Sequence, residues 1–240
     1  MGAHGPPERR LAPHYMARNA LSLLFVLFIT LFAFARGSAV PAADVQRRDE
    51  NLPARVPYVF PLPGTDPIAD TIRARRANST LLALDGALLN APLVAQGWNQ
   101  LFTVIRENLT IPGEMRELFI LRTAVLNKAA YQWGQHESVG RAEGLTTRQL
   151  QVLRFAPAGV VTLTDQKILG DSLAAALAFA DAITTSVHVP THIYNNLARF
   201  LSPKQMVEAV STAGSYAFVS RFTVALDVDG RMSEAVPVPI

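Results

Sequence analysis

Residues 114–144, EMRELFILRTAVLNKAAYQWGQHESVGRAEG, read as two helices with a short break between them. The first is predicted over about Glu114 to Lys128. Met115, Leu118, Leu121 and Val125 recur at helical spacing, and Pro112-Gly113 punctuates its start. The second is predicted over about Tyr131 to Glu143 and stops at Gly144, a residue suited to a helix C-terminus. Groups that are uncommon in a core line this pair: Glu117, Arg122, Asn127, Gln132, His136 and Glu137. Gln132 and His136 are four apart, so they share one face of the second helix.

Outward from this pair the chain reads as helices almost throughout. Asp66 or Asp70 can cap a helix carrying Ile68 and Ile72, and Leu81 to Leu89 suggests a short one. Pro92 opens another through about Glu107, since proline suits a first helical turn. Thr146 caps TTRQLQVLRF, Thr164-Asp165 is expected to cap one long helix to about Thr184, and Ser202-Pro203 starts the last, to about Leu226. No stretch alternates with period two, and VVTL near Val160 is the only candidate strand. The expected class is therefore all-α, a multi-helix bundle over residues 66–230 followed by a tail, 231–240.

The stretch RELFILRTAVLNKAAYQWGQHESVGRAEGL resembles the signature of the carboxymuconolactone decarboxylase family, within the alkylhydroperoxidase D-like superfamily. The resemblance extends upstream through IRARRANSTLLALDGALLNAPLVAQGWNQLFTVIRENLTIP and downstream through ALAFADAIT and YAFVSRFTVALDV, covering roughly residues 58–229. It implies a compact helical bundle and homo-oligomers, often trimeric units. Thiol peroxidases of that superfamily pair a helix glutamate with a CxxC motif and a histidine four residues after its second cysteine. Glu117 and His136 match the acid and the imidazole, whereas Ala129 and Gln132 stand where the cysteines would be. The chain contains no cysteine at all, which removes thiol chemistry, disulfides and cysteine metal sites together.

With 240 residues and a formal charge of +3, the chain has room for one ordinary domain and an appendage. Much of the basicity lies near the N-terminus, and no Lys/Arg run with interleaved aromatics marks a nucleic-acid surface. Asn19 to Ala35 is uncharged and strongly apolar, with arginines before it and Arg36-Gly37-Ser38-Ala39 after it. Residues 1–39 therefore read as a secretory signal cleaved after Ala39 or as an uncleaved anchor, whose run falls just short of the ~20 residues that span a bilayer. The flanking arginines put the body across the membrane in either case, in the secretory pathway or outside the cell. Arg47-Arg48 resembles a dibasic processing site, and Asn78-Ser79-Thr80 and Asn108-Leu109-Thr110 are sequons. Residues 40–65 form a Pro-rich arm whose Val56, Tyr58, Val59 and Phe60 can dock on the body.

Glu117 and His136 are the candidate catalytic residues. Tyr131, Gln132, Trp133 and Arg122 are the candidates for substrate contact, although Trp133 also suits the core and Arg122 an internal or interface ion pair. Two motifs fail: His136-Glu137 begins like HExxH but reaches Gly140 at the fifth position, and Pro190 lies between His188 and His192. No phosphate-cradling glycine pattern is present, and no metal site is expected. The resemblance implies decarboxylation of a small lactone acid without metal or organic cofactor, with the substrate as its own electron sink. Proteins resembling the family also act on larger aromatic natural products. Two readings follow: a cofactor-free acid–base enzyme acting on a carboxylic acid or lactone, and a non-catalytic oligomeric binding protein of the same fold. Neither requires nucleic acid, and a membrane enters only through an uncleaved N-terminal segment.

Overall fold

The computed structural model describes residues 54–240; the leader, both its readings, the Arg47-Arg48 site and the start of the arm lie outside them. Ten helices follow: α1 (Pro67–Arg75), α2 (Ala83–Leu88), α3 (Pro92–Glu107), α4 (Gly113–Leu126), α5 (Ala130–Ala142), α6 (Thr147–Phe155), α7 (Leu163–Leu169), α8 (Asp171–Thr185), α9 (Thr191–Leu197) and α10 (Pro203–Ala225). No strand forms among the described residues, so the class is all-α as expected. None of these helices is by itself long and apolar enough to cross a membrane.

α4 is the axis of the molecule. α5, α8 and α10 pack around it, and every residue from Glu117 to Ala124 is buried. A helix enclosed on all sides has no single apolar stripe, so its buried positions exceed the few that helical spacing picks out. The turn back into α5 is tight. Lys128 adopts φ 56°, the Lys128 amide donates to Val125 O at 3.1 Å, and the Ala129 amide donates to Ala124 O at 2.8 Å. This is a Schellman closure with lysine in the place usually given to glycine. The far end of α5 closes the same way around Gly144, with Leu145 N on Gly140 O at 2.9 Å. Gly140 permits the helices to approach, since a Cβ there would stand 3.0 Å from Leu121 Cδ1 and 3.5 Å from Glu117 Cβ.

One expectation fails in the second half. The single helix from Thr164 to Thr184 is two helices, α7 and α8, meeting at Gly170 with a bend of 117°. Gly170 has φ 76°, which a continuing helix does not allow. The N-cap is Thr162, whose hydroxyl accepts from the Asp165 amide at 3.1 Å, so VVTL leads into a cap and not into a strand. α9 was not expected; it starts after Pro190, which leaves His188 in the preceding turn and His192 in the first helical turn.

Two apolar clusters result. One joins α4 to α6, α7, α8 and part of α10. The other gathers Tyr58 and Phe60 of the arm, α1 to α3, and Ile120, Tyr131, Tyr216 and Val219. Phe60 packs over Gly86, where a Cβ would stand 2.5 Å from its ring. Val236 of the tail is also buried, and Arg154 Nε donates to its carbonyl at 3.0 Å. Glu117 and His136 lie where α4 and α5 border the second cluster.

Candidate active site

Positions 132, 135, 136 and 139 of α5 recur at three- and four-residue steps and face a cavity of about 370 Å³. Leu82, Leu84 and Val219 supply apolar wall, and Arg76, Arg106, Arg116, Glu117, Tyr131 and Glu143 line it with polar groups. Glu117 and His136, 19 residues apart, meet here: Oε2 of Glu117 lies 2.9 Å from Nδ1 of His136. Both residues are buried, with 1% and 7% of their surface exposed. Glu117 also accepts from Arg116 Nε at 3.2 Å, and Arg116 reaches Glu143 Oε1 at 2.7 Å.

The imidazole is held neutral. Burial, the largest cause, pushes its pKa below the ordinary 6.5; the bond to Glu117 and its charge oppose that shift, and the Arg106 and Arg116 charges add to it. A carboxylate can only accept, so the network assigns the Nδ1 proton to the Glu117 bond. Nε2 is then an unprotonated acceptor, without a hydrogen-bond partner among the described residues, on a ring that lines the cavity. The ring is fixed from its side by Tyr216, packed edge-on at 4.9 Å between centroids and 86°.

Of the four substrate-contact candidates, two reach the cavity. Tyr131 lines it; burial pushes its phenol well above the usual range, and the oxygen accepts a long bond of 3.4 Å from Leu84 N. Gln132 also borders it, yet its amide already donates to Ile120 O and accepts from Ser220 Oγ, each at 2.9 Å. That residue ties α4, α5 and α10 together, with little left for an oxyanion. Arg122 and Trp133 do not contact the cavity. Arg122 is five positions beyond Glu117, about 140° around the helix, and so turns to α8. It is wholly buried, bonded to Asp181 at 2.5 and 3.0 Å and to the Leu153 and Ala156 carbonyls. Trp133 is also wholly buried in the first apolar cluster, donating to Glu137 Oε2 at 2.7 Å. Ala129, at one cysteine-equivalent position, is the N-cap of α5 and is buried in the same cluster.

Three arginines of the cavity were not singled out from sequence. Arg76 is bound through two bonds to Asp85, at 2.9 and 2.6 Å. Arg106 comes from α3, 110 residues from its partner: its Nε donates to Tyr216 Oη at 2.9 Å. No local pattern announces such a contact. Arg75, Arg76 and Arg106 crowd one another, and Arg75 falls to about 10 through burial first and the two neighbouring charges next. Among the described residues no group of three His, Cys, Asp or Glu could hold a metal ion.

No protein-family profile matches the chain, and no curated protein sequence does. Solved structures do. The apo form of the debrominase Bmp8 superposes with a TM-score of 0.56 at 19% identity, covering 67% of this chain and 84% of that one. A variant of Bmp8 in complex with 2,3,4-tribromopyrrole gives 0.55 at 19% identity, over 68% and 83%. An Agrobacterium tumefaciens protein of unknown function, proposed to be the antioxidant-defence protein AhpD, gives 0.49 at 19%, over 63% and 95%. This chain has the all-α fold of Bmp8. Membership of the carboxymuconolactone decarboxylase family rests on the sequence resemblance alone.

Proposed function

We propose that this chain is a cofactor-free acid–base enzyme acting on a small organic acid or lactone, with His136 as the proton carrier and Glu117 as the residue that positions it. The observation that carries this reading is the 2.9 Å Glu117–His136 contact at the wall of a cavity rich in arginine. Glu117 fixes the Nδ1–H tautomer and leaves the Nε2 lone pair toward the cavity. A neutral imidazole so placed acts first as a base: it takes a proton from a carbon acid, and the released electron pair moves into a conjugated carbonyl. The imidazolium then returns the proton.

Decarboxylation, which the resemblance implies, is a finer form of this reading. There the C–CO2 bonding pair enters the conjugated carbonyl, carbon dioxide leaves, and the carbon of the enolate takes a proton. Nε2 can deliver that proton only after taking one up. The two forms have opposite pH profiles: the base-first reaction fails as His136 becomes protonated, and the decarboxylation fails as it loses its proton. Support for catalysis on a one-ring substrate also comes from the debrominase of this fold and its tribromopyrrole ligand.

Homo-oligomers, trimeric units included, belong to the same proposal. Leu93, Leu101 and Val104 of α3 and Val207, Val210 and Phe218 of α10 are exposed apolar residues that support subunit contact. Placement in the secretory pathway or on a membrane anchor is proposed from the leader sequence.

A thermal-shift screen with lactones and aromatic acids tests the reading, because a ligand of the folded state raises its stability. Hits whose turnover is lost in His136→Ala are expected. Ligands that bind and turn over equally in that variant would defeat the assignment.

A further inference from the structure

The cavity arginines differ in what they already hold. Arg76 is neutralised by Asp85, and Arg116 is shared between Glu117 and Glu143. Arg106 has no carboxylate partner among the described residues. Its Nε is given to a neutral phenol, Tyr216, and its guanidinium carbon lies 5.6 Å from the Phe102 ring centroid and 6.0 Å from that of Tyr216. The Phe102 ring and the Tyr216 hydroxyl hold the cation in place without neutralising it. A half-buried cation lined up on a cavity and lacking an anion is an incomplete pair.

We infer that Arg106 is the anion anchor of this cavity, and that the substrate is a one-ring organic acid held there by a carboxylate that survives the reaction. The inference rests on the proposed function and adds the substrate class and its orientation. The planar guanidinium fork matches a carboxylate through two parallel bonds. Tyr216 touches both partners of the arrangement, forming a T-shaped ring contact with His136 and accepting from Arg106. An acid bound at Arg106 is therefore set at a fixed relation to Nε2 of His136. A carboxylate destined to leave as carbon dioxide loses its charge on the way, so pairing it with Arg106 would stabilise the ground state and slow the reaction. The anchor thus suits a retained charge, with the reacting carbon turned toward His136. Leu82, Leu84, Val139 and Val219 provide the apolar wall for the ring.

Benzoate and its neutral isostere benzamide are the probes. Their dissociation constants are measured by calorimetry on the full chain, on Arg106→Gln and on His136→Gln, each checked for its helical spectrum. Benzoate is expected to bind the unaltered chain at least about tenfold tighter than benzamide, a preference lost in Arg106→Gln and kept in His136→Gln. If Arg106→Gln does not fold, Arg106→Met retains the stem on Phe102 and removes only the charge. A benzoate preference that persists without the guanidinium overturns the anchor and leaves the proposed function standing. Failure of benzoate to bind the unaltered chain also overturns the anchor, whereas the proposed function falls only if turnover is unchanged in His136→Ala.

Discussion

His136, the proposed proton carrier, is a ring on which two opposing influences act. Burial and the arginines Arg106 and Arg116 disfavour its charge, while Glu117 favours it, and the first group prevails. The folded value therefore lies below the ordinary 6.5. As pH falls from there, the unfolded chain takes up a proton before the folded chain does, so this residue lowers stability toward acid. For activity, the base-first form predicts that kcat/KM is at its plateau by pH 6.5 and falls as pH drops further; a rate that instead rises as pH drops through that range would point to the decarboxylation form. His136→Ala should reduce turnover by about 10² to 10⁴-fold with the fold intact. Glu117→Gln should cost less, because the amide oxygen still accepts from Nδ1, and it removes the charge that raises the histidine, so the acid limb moves to lower pH. An equal or larger loss in Glu117→Gln would assign the proton to the carboxylate. Glu117 and His136 were legible because their spacing matched a known relay. Arg106 was not, since its role depends on Tyr216 and on a cavity wall from other helices. Of the two readings of Arg122, the internal ion pair is the one observed, because helical rotation from Glu117 points it at Asp181.

Helix starts were legible at Thr146 and Ser202, whose capping residues announce them, whereas the α7 cap stands at Thr162, two residues before the expected Thr164. Thr146 and Ser202 each accept from the amide three residues on, at 3.3 Å, and the matching glutamines close the box. Gly170 and Lys128 were harder to foresee: an isolated glycine is tolerated in a helical pattern, and lysine seldom takes a left-handed C-terminal position. Two buried carboxylates then hold the elements. Asp181 pairs with Arg122 and accepts from the Gly159 amide at 2.8 Å, joining α8 to α4 and to the turn after α6. Asp181→Ala should destabilise the chain by about 3–5 kcal/mol, read as a fall in Tm, because it strands a buried cation; a change under about 1 kcal/mol would contradict the ion-pair role. Glu208 of α10 accepts from the Thr110 and Ile111 amides at 2.8 and 2.9 Å, just before α4. Burial pushes its carboxyl upward, but the Thr110 and Ile111 donors and Lys204 outweigh it and hold the value below normal. A lowered folded value contributes stability above the unfolded value of about 4.3 and loses it as pH falls through the folded one. The Tm gap between the native chain and Glu208→Gln should thus be widest near neutrality and close below about pH 4. A gap independent of pH would show that shape, not charge, matters there.

Across the whole molecule, the positions that match the cysteines of the resembled thiol peroxidases are Ala129, the N-cap of α5, and Gln132, which ties α4, α5 and α10 together. Without a single cysteine in 240 residues, the purified chain should show no peroxide reduction by a thiolate; turnover that follows the protein and survives chelation would contradict this. What remains of the relay is an acid and an imidazole, brought together because Gly140 lets α5 lie close against α4. The most direct measurement of this account is the tautomer and titration of His136 by long-range ¹H–¹⁵N correlation in the imidazole. At pH 7 it should show a neutral ring protonated on Nδ1 alone, titrating below 6.5. A doubly protonated ring at that pH, or a neutral one with its proton on Nε2, would contradict it.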